Sequence, residues 1–232
     1  MSDILEDSKR FFKPYEGKRY EEGINGKKIL VVGDSFYCTK ITCEYHSECT
    51  NTENRDSGKY DKICPERLKH TAVGENVIPL HDEPTVAVDE YESYAYLNFK
   101  GLLQLLMGEA SEKINVWDYV AFTNYIQFFL PNSRTSSAFI DKKNYLAFKE
   151  VVKELKPDVV VTWGIAVADA IRNEYGIEDI KNELKDNQYY CNKMKIDGHS
   201  FNILNLYHPS SRIWPSDIYN SYRYFKKVLG IN

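Results

Sequence analysis

The stretch Lys28-Ile29-Leu30-Val31-Val32-Gly33-Asp34-Ser35 decides the fold. Its apolar residues run without alternation, which suits a strand covered on both faces, as in a parallel sheet. Three further runs share that character: Tyr119–Asn124, Asp158–Gly164 and Asn202–His208. The four exits read Gly33-Asp34-Ser35-Phe36-Tyr37, Thr123-Asn124, Trp163-Gly164 and His208-Pro209-Ser210-Ser211-Arg212. A parallel α/β sheet brings the carboxyl ends of its strands to one edge, where such proteins bind ligands. Residues far apart in sequence are therefore expected to converge there.

Helical spacing fills the intervals. Tyr94–Gly108 carries Leu97, Gly101, Leu102, Leu105 and Leu106 on a core-facing pattern. Asp141–Leu155 places Tyr145, Phe148, Val151, Val152 and Leu155 on one stripe, with Asp141 as its N-cap and Pro157 as its stop. Ile165–Tyr175 leaves the third strand as a helix, and Ser216–Leu229 closes the chain as another, capped by Ser216 after Pro215. Strands alternating with helices predict a three-layer α/β/α sandwich around a central four-stranded parallel sheet, with right-handed crossovers. Residues 1–26, charged and aromatic, are expected to form an N-terminal extension, with Gly23 and Gly26 marking a turn; residues 27–232 form a single domain. Between Tyr37 and Val88 no period is sustained, so long loops with short helical pieces are expected.

Bulk properties narrow the function. The chain has 232 residues, 43% of them apolar and 14% aromatic, enough for a sizeable globular core. No run of about twenty uncharged apolar residues occurs, and Met1–Arg10 is acidic and polar, unlike a secretory signal. A cytoplasmic protein without a membrane partner is the expectation. Thirty basic residues against 34 acidic ones give a net charge of −4, which argues against tight nonspecific polyanion binding but allows a local basic groove. The five cysteines are odd in number, so no disulfide framework is expected. Cys38, Cys43, Cys49 and Cys64 share one loop with His46 and His70. Their spacings lack a tight Cys-x2-Cys knuckle, so free thiols rather than a zinc site are expected.

The order Gly33-Asp34-x-x-Tyr37, then strand-Thr123-Asn124, then His208-Pro209-Ser210 resembles the uracil-DNA glycosylase superfamily, over Lys28 to Arg212. Ala121-Phe122-Thr123-Asn124 through Pro131-Asn132-Ser133-Arg134 is similar to the segment carrying the base-reading Asn of iron–sulfur uracil glycosylases. Phe148-Lys149-Glu150-Val151-Val152 to Trp163-Gly164 is similar to that family's helix, Lys-Pro, strand and Gly. The resemblance implies a glycosylase-like fold and hydrolysis of the N-glycosidic bond of uracil or a related damaged base in DNA, without a cofactor. The partner would be DNA, or a nucleobase or nucleotide ligand.

Cleaving that bond develops positive charge on the sugar and negative charge on the departing base, and it requires the nucleotide to leave the stack. By resemblance, Asp34 would hold water or stabilise the oxocarbenium; its alternative is to cap its loop through backbone hydrogen bonds. Asn124 would pair with the imide edge of a pyrimidine, and Gly33 would also belong to the base-binding site. His208 would donate to the base O2. Phe36 would stack on the extruded base and Tyr37 would wall the pocket against a 5-methyl group. Ser210, Ser211 and Arg212 would hold backbone phosphates, with Arg212 at the family's duplex-probing position. Arg134 would face the strand, its alternative being an ordinary solvated arginine.

The departures define the alternatives. Ser35 stands where the best-known branch has Asp, and Phe36 where many branches have Pro. Phe128 stands where the iron–sulfur branches place a Cys, and no cysteine precedes Cys38, so a cluster of that type is not expected. One alternative is a glycosylase-fold protein that binds a base, nucleotide or DNA without cleaving it. Another is an SGNH, or GDS-type, esterase, which Val31-Val32-Gly33-Asp34-Ser35 also resembles, with Ser35 as nucleophile and His208 as its base. That family places an acid three residues before the His, where this chain has Asn205.

Overall fold

A computed structural model describes residues 14–37, 47, 90–108, 111, 114–127, 129–130, 142–175 and 191–231. The strands are β1 (Tyr15–Glu16), β2 (Ile29–Gly33), β3 (Phe36–Tyr37), β4 (Val120–Asn124), β5 (Phe129–Leu130), β6 (Val159–Trp163), β7 (Cys191–Ile196) and β8 (His199–Leu206). The helices are α1 (Glu90–Met107), α2 (Lys142–Leu155), α3 (Ile165–Tyr175) and α4 (Trp214–Leu229).

The four apolar runs form a parallel block in the order β4-β2-β6-β8. The expected four-stranded parallel sheet needs correction, because the sheet is mixed and has six strands. Strand β1 pairs antiparallel with β4 at one edge, and β7 pairs antiparallel with β8 at the other. Two short local structures account for the difference. Gly17 continues β1 by donating to the Val120 carbonyl at 3.0 Å. Asp197 and Gly198, with φ of 48° and 86°, form the two-residue left-handed turn that suits a β7–β8 hairpin. Strand β8 therefore begins at His199 rather than Asn202. Residues 14–26, read as an extension, contribute β1 and the buried side chains of Tyr15, Tyr20 and Ile24.

Both faces of the sheet are covered. Ile29 and Val31 pack in one cluster with Phe99, Leu102 and Leu103 of α1 and with Trp214, Phe225 and Leu229 of α4. Leu30 and Val32 pack in the other, with Phe148, Val151 and Val152 of α2 and with Val167 and Ile171 of α3. Each such fully buried aliphatic side chain stabilises the fold by about 1.5–3 kcal/mol. From β2 the chain crosses to β4 through α1, then reverses through α2 and α3 toward β6 and β8. The reversal sends α2 and α3 to the opposite face, as right-handed crossovers demand, and α4 returns to the face of α1.

The helix limits need small corrections. Helix α1 starts four residues before the expected Tyr94, and α4 starts at Trp214. Pro215 lies in the first turn of α4, and the N-cap residue is Ile213, which makes no side-chain cap. Ser216 instead donates its hydroxyl back to the Ile213 carbonyl at 2.8 Å. Asp141 and the loop bearing Cys38, Cys43, Cys49, Cys64, His46 and His70 lie outside the described residues, as does Arg134. No helix of the described residues is long and apolar enough to cross a membrane.

Gly17 tests whether the N-terminal segment belongs to the sheet. A Cβ there would meet the Asp118 carbonyl oxygen at 2.3 Å and the Trp117 carbonyl oxygen at 2.5 Å. Both are backbone atoms and cannot swing aside. Gly17→Ala is expected to lower stability in urea unfolding by about 2 kcal/mol. A change within about 0.5 kcal/mol would show that this edge is not formed.

Candidate functional site

Register places the strand exits at one height. Gly33 lies opposite Asn124, Val32 opposite both Thr123 and Thr162, and Trp163 opposite Leu206. The chain changes direction along the sheet between β2 and β6, the position at which α/β sheets open a crevice beyond their carboxyl ends. Gly33 and Gly164 flank that crevice, with Asn124 on one side and His208 on the other.

Asn124 is the last residue of β4 and is buried. Its carboxamide lies across Gly33: a Cβ on that glycine would sit 2.2 Å from Asn124 Oδ1 and 3.0 Å from Phe122 Cζ. No hydrogen bond ties the carboxamide to the described residues. Its backbone is held instead, since Gln127 Nε2 donates to the Asn124 carbonyl at 2.6 Å and the Gln127 N–H donates to Asn144 Oδ1 at 3.0 Å. The side chain thus has a fixed root and an available polar end.

Asp34 follows β2 and is half-buried. Its carbonyl accepts from the Ile126 N–H at 2.9 Å, and the Gly33 carbonyl accepts from the Tyr125 N–H at 2.9 Å, so β2 and β4 stay paired past the sheet. Beyond them β3 and β5 pair in parallel, with Phe36 opposite Phe129 and Tyr37 opposite Leu130. Phe36 and Tyr37 therefore belong to a second ribbon continuing from the same edge. Ser35, between Asp34 and Phe36, is buried.

His208 follows β8 by two residues. Gly164 lies beside it, since a Cβ there would be in ordinary contact with His208 Cβ at 3.8 Å, and its φ of 95° favours glycine. The imidazole stands edge-on to Trp163, with centroids 5.8 Å apart and planes at 80°. The Ser210 N–H donates to His208 Nδ1 at 3.2 Å, and Ser210 Oγ lies 2.7 Å from the same atom. An N–H only donates, so Nδ1 accepts and the neutral ring carries its proton on Nε2. Nε2 makes no hydrogen bond to a described residue. Burial pushes the imidazole pKa down to about 4.

That tautomer bears on the esterase alternative. Nε2 has no lone pair with which to take a proton from Ser35, and Nδ1 meets a serine rather than an acid. Asn205, at the position of that family's acid, lies buried in β8, where its Oδ1 accepts from Thr162 Oγ1 at 3.1 Å.

The loop after His208 is bracketed on both sides. Ser211 N–H donates to the His208 carbonyl at 2.8 Å, and Asn98 Nδ2 of α1 donates to the Pro209 carbonyl at 2.7 Å. Ser211 Oγ is buried with no hydrogen-bond partner among the described residues, as is Trp163 Nε1. Arg212 is exposed and forms no ion pair with the described residues. The structure thus brings Gly33, Asp34, Asn124 and the His208–Arg212 loop to one edge. Sequence reading missed Asn98, Gln127, Asn144 and Trp163. For Asn98 the sole signal was a polar residue breaking an otherwise apolar helical stripe.

His208 gives the fold a pH dependence with a defined sign. The folded ring resists protonation down to about pH 4, whereas an unfolded histidine titrates near 6.5, so the unfolded state binds more protons between those values. This contribution is complete above about pH 6.5 and is lost as pH falls toward 4. Between roughly pH 7.5 and pH 5 the protein is expected to lose about 2 kcal/mol more than His208→Gln does in urea unfolding. Parallel losses in the two proteins would show an imidazole that titrates freely in the fold.

No protein-family model matches this chain, and no curated protein is similar to it. What the site does rests on its own geometry.

Proposed function

We propose that the protein is a DNA glycosylase of the uracil-DNA glycosylase type, which hydrolyses the N-glycosidic bond of uracil or a related damaged base once the nucleotide has left the stack. One juxtaposition carries this reading. An asparagine with an available carboxamide and a neutral histidine with an available Nε2–H stand at the same sheet edge, with side-chain-free Gly33 at the same height.

Each group fits one demand of the chemistry. The Asn124 amide donates and its oxygen accepts, which complements the adjacent carbonyl and N–H of a uracil edge. Gly33, lacking a side chain, leaves the space in which the Asn124 carboxamide sits at this edge. Water adds to the sugar C1′, the bond to the base breaks, and the base departs with the bonding electrons. The Nε2–H of His208 then meets the developing charge on O2, and the ring need not give up its proton. Asp34 faces the positive sugar and holds the attacking water, whose proton passes to solvent. Arg212, exposed on the loop, meets the phosphates, which position a strand without reading its sequence, whereas the Ser211 hydroxyl is buried away from them.

The test is release of free base from uracil-containing single- and double-stranded oligonucleotides. Release is expected from the wild type and is expected to fall by about a hundredfold or more in Asp34→Asn and in His208→Ala. Asn124→Asp is expected to shift preference toward cytosine, because a carboxylate accepts where the amide donated. An unchanged preference would remove Asn124 from base recognition. Oligonucleotide binding without release would assign a non-cleaving role. Turnover of a p-nitrophenyl ester that disappears in Ser35→Ala would replace the reading with esterase chemistry.

A further inference from the structure

We propose that the outer face of α4 binds a single strand of nucleic acid, with phosphates against Arg223, Lys226 and Lys227 and a base stacked on Tyr219. Tyr219, Arg223 and Lys227 recur at every fourth residue, so they share one stripe of the helix, and all three are exposed. Half-buried Lys226 stands beside them. Tyr219 is 72% exposed, more than any other large apolar or aromatic side chain among the described residues, and no described ring touches it. From Tyr219 to Lys227 the stripe runs about 12 Å along the helix axis.

Charge compensation sets this helix apart. In α2, Lys149 and Lys153 sit next to Glu150 and Glu154, and in α3 Arg172 is paired with Asp169 at 3.1 Å. The one acid of α4, Asp217, is buried, and its carboxylate oxygens accept from Asn220 at 3.3 Å and from Ser221 at 3.1 Å. Neither Arg223, Lys226 nor Lys227 forms an ion pair with a described residue. Arg223 lies 5.6 Å from the Tyr224 ring centroid and Lys226 lies 5.9 Å from that of Tyr222. The negative end of the helix dipole accounts for cations in the last turn, Lys226 and Lys227, but not for Arg223 or Tyr219. In a chain of net charge −4, such a stripe complements an extended anion. Cations interleaved with rings suit a single strand, which offers phosphates and unpaired base faces together. A bilayer surface would call for an apolar stripe, and past Tyr219 this one is polar. Helix α4 also begins directly after the His208–Arg212 loop, so the stripe continues the carboxyl edge. Its other end lies beside Asn25, whose Nδ2 donates to the Leu229 carbonyl at 3.0 Å. A strand passing Arg212 would thus be led along the helix.

That the strand continues into the site rests on the glycosylase reading; its binding to α4 does not, so the probe is a fluorescent oligothymidine, which contains no uracil. Binding of the full chain is measured between roughly 50 and 200 mM KCl. The wild type is expected to bind, with affinity falling as salt rises. Each single-strand phosphate contact contributes about 0.7 to the slope of log affinity against log salt, so the triple variant Arg223→Gln/Lys226→Gln/Lys227→Gln is expected to lose about 2 from it. Tyr219→Ala is expected to bind about tenfold more weakly at an unchanged slope, and Tyr219→Phe, which keeps the ring, to bind as the wild type does. A triple variant with the wild-type slope overturns the proposal, as does a Tyr219→Ala protein of wild-type affinity. Failure of the wild type to bind oligothymidine in low salt overturns it outright. So does a preference of this face for phosphatidylserine vesicles or polyglutamate, lost in the triple variant, which would assign it to a membrane or an acidic protein. Uracil release without oligothymidine binding would leave the glycosylase reading standing and this one overturned; binding through α4 without base release would do the reverse.

Discussion

Parallel pairing of β2 to both of its neighbours is the constraint on which everything at the carboxyl edge depends. The ladder sets Gly33 level with Asn124, and through Val32 and Thr162 it sets Trp163 one step beyond, level with Leu206. With strands about 4.8 Å apart, the four exits span roughly 14 Å. A slip of one residue would turn every side chain to the other face. Ile29 and Val31 would then meet α2 and α3, and Leu30 and Val32 would meet α1 and α4. The two packed clusters forbid the slip, so burial in the body of the sheet fixes the level of the polar groups at its rim.

The same packing sets the electrostatics of the rim. Trp163 touches His208 on one side and, at centroid distances of 5.2–5.4 Å, Tyr96, Phe99 and Phe122 on others. This apolar support leaves the imidazole little water to stabilise a positive charge, which is why its pKa falls. A neutral imidazole is a weaker donor than an imidazolium, yet it needs no charge brought out of water. In a water-poor site a fixed, uncharged donor gains strength from the low dielectric without a desolvation cost. Rigidity is the condition for that gain. Asn98, Ser210 and the His208 carbonyl supply it through short hydrogen bonds within a loop of five residues, His208 to Arg212.

What could be read from the sequence follows the range of the forces involved. The four buried strands were legible because solvent exclusion on both faces leaves an unbroken apolar run, and the helices because one stripe of each must face the sheet. Asp34, Asn124 and His208 were legible because strand ends in a parallel sheet converge wherever they lie in the chain. The two edge strands were not. Tyr15–Glu16 is too short to show a period, and it owes its place to Gly17 fitting against the Trp117 and Asp118 backbone. For the β7–β8 hairpin the signal was present in Asp197-Gly198, flanked by the alternation Lys193-Met194-Lys195-Ile196, and it went unused. Ser216 shows a different limit, since a capping residue one turn too late still looks like a cap. The partners of Ser210 and Asn98 were beyond reach, because a hydroxyl rotor and a contact 111 residues away leave no pattern in spacing.

Charge fixes how such a site has to work. A chain with net charge −4 gains little from the general field of a polyanion, and much of its surface repels it. Attraction has to be local, and at this edge the described cation is Arg212, exposed and without an ion pair. On the glycosylase reading we propose, neutral donors would do the rest: the Asn124 amide and the His208 Nε2–H. Donors of that kind lose little to salt, whereas each phosphate neutralised by a cation weakens as salt rises. On the glycosylase reading we propose, recognition would reside in the base pocket rather than along the backbone. On that reading selectivity would follow from the same balance, because an unmatched base would leave the buried Asn124 carboxamide unpaired, at a cost of about 1–3 kcal/mol that no long-range attraction offsets.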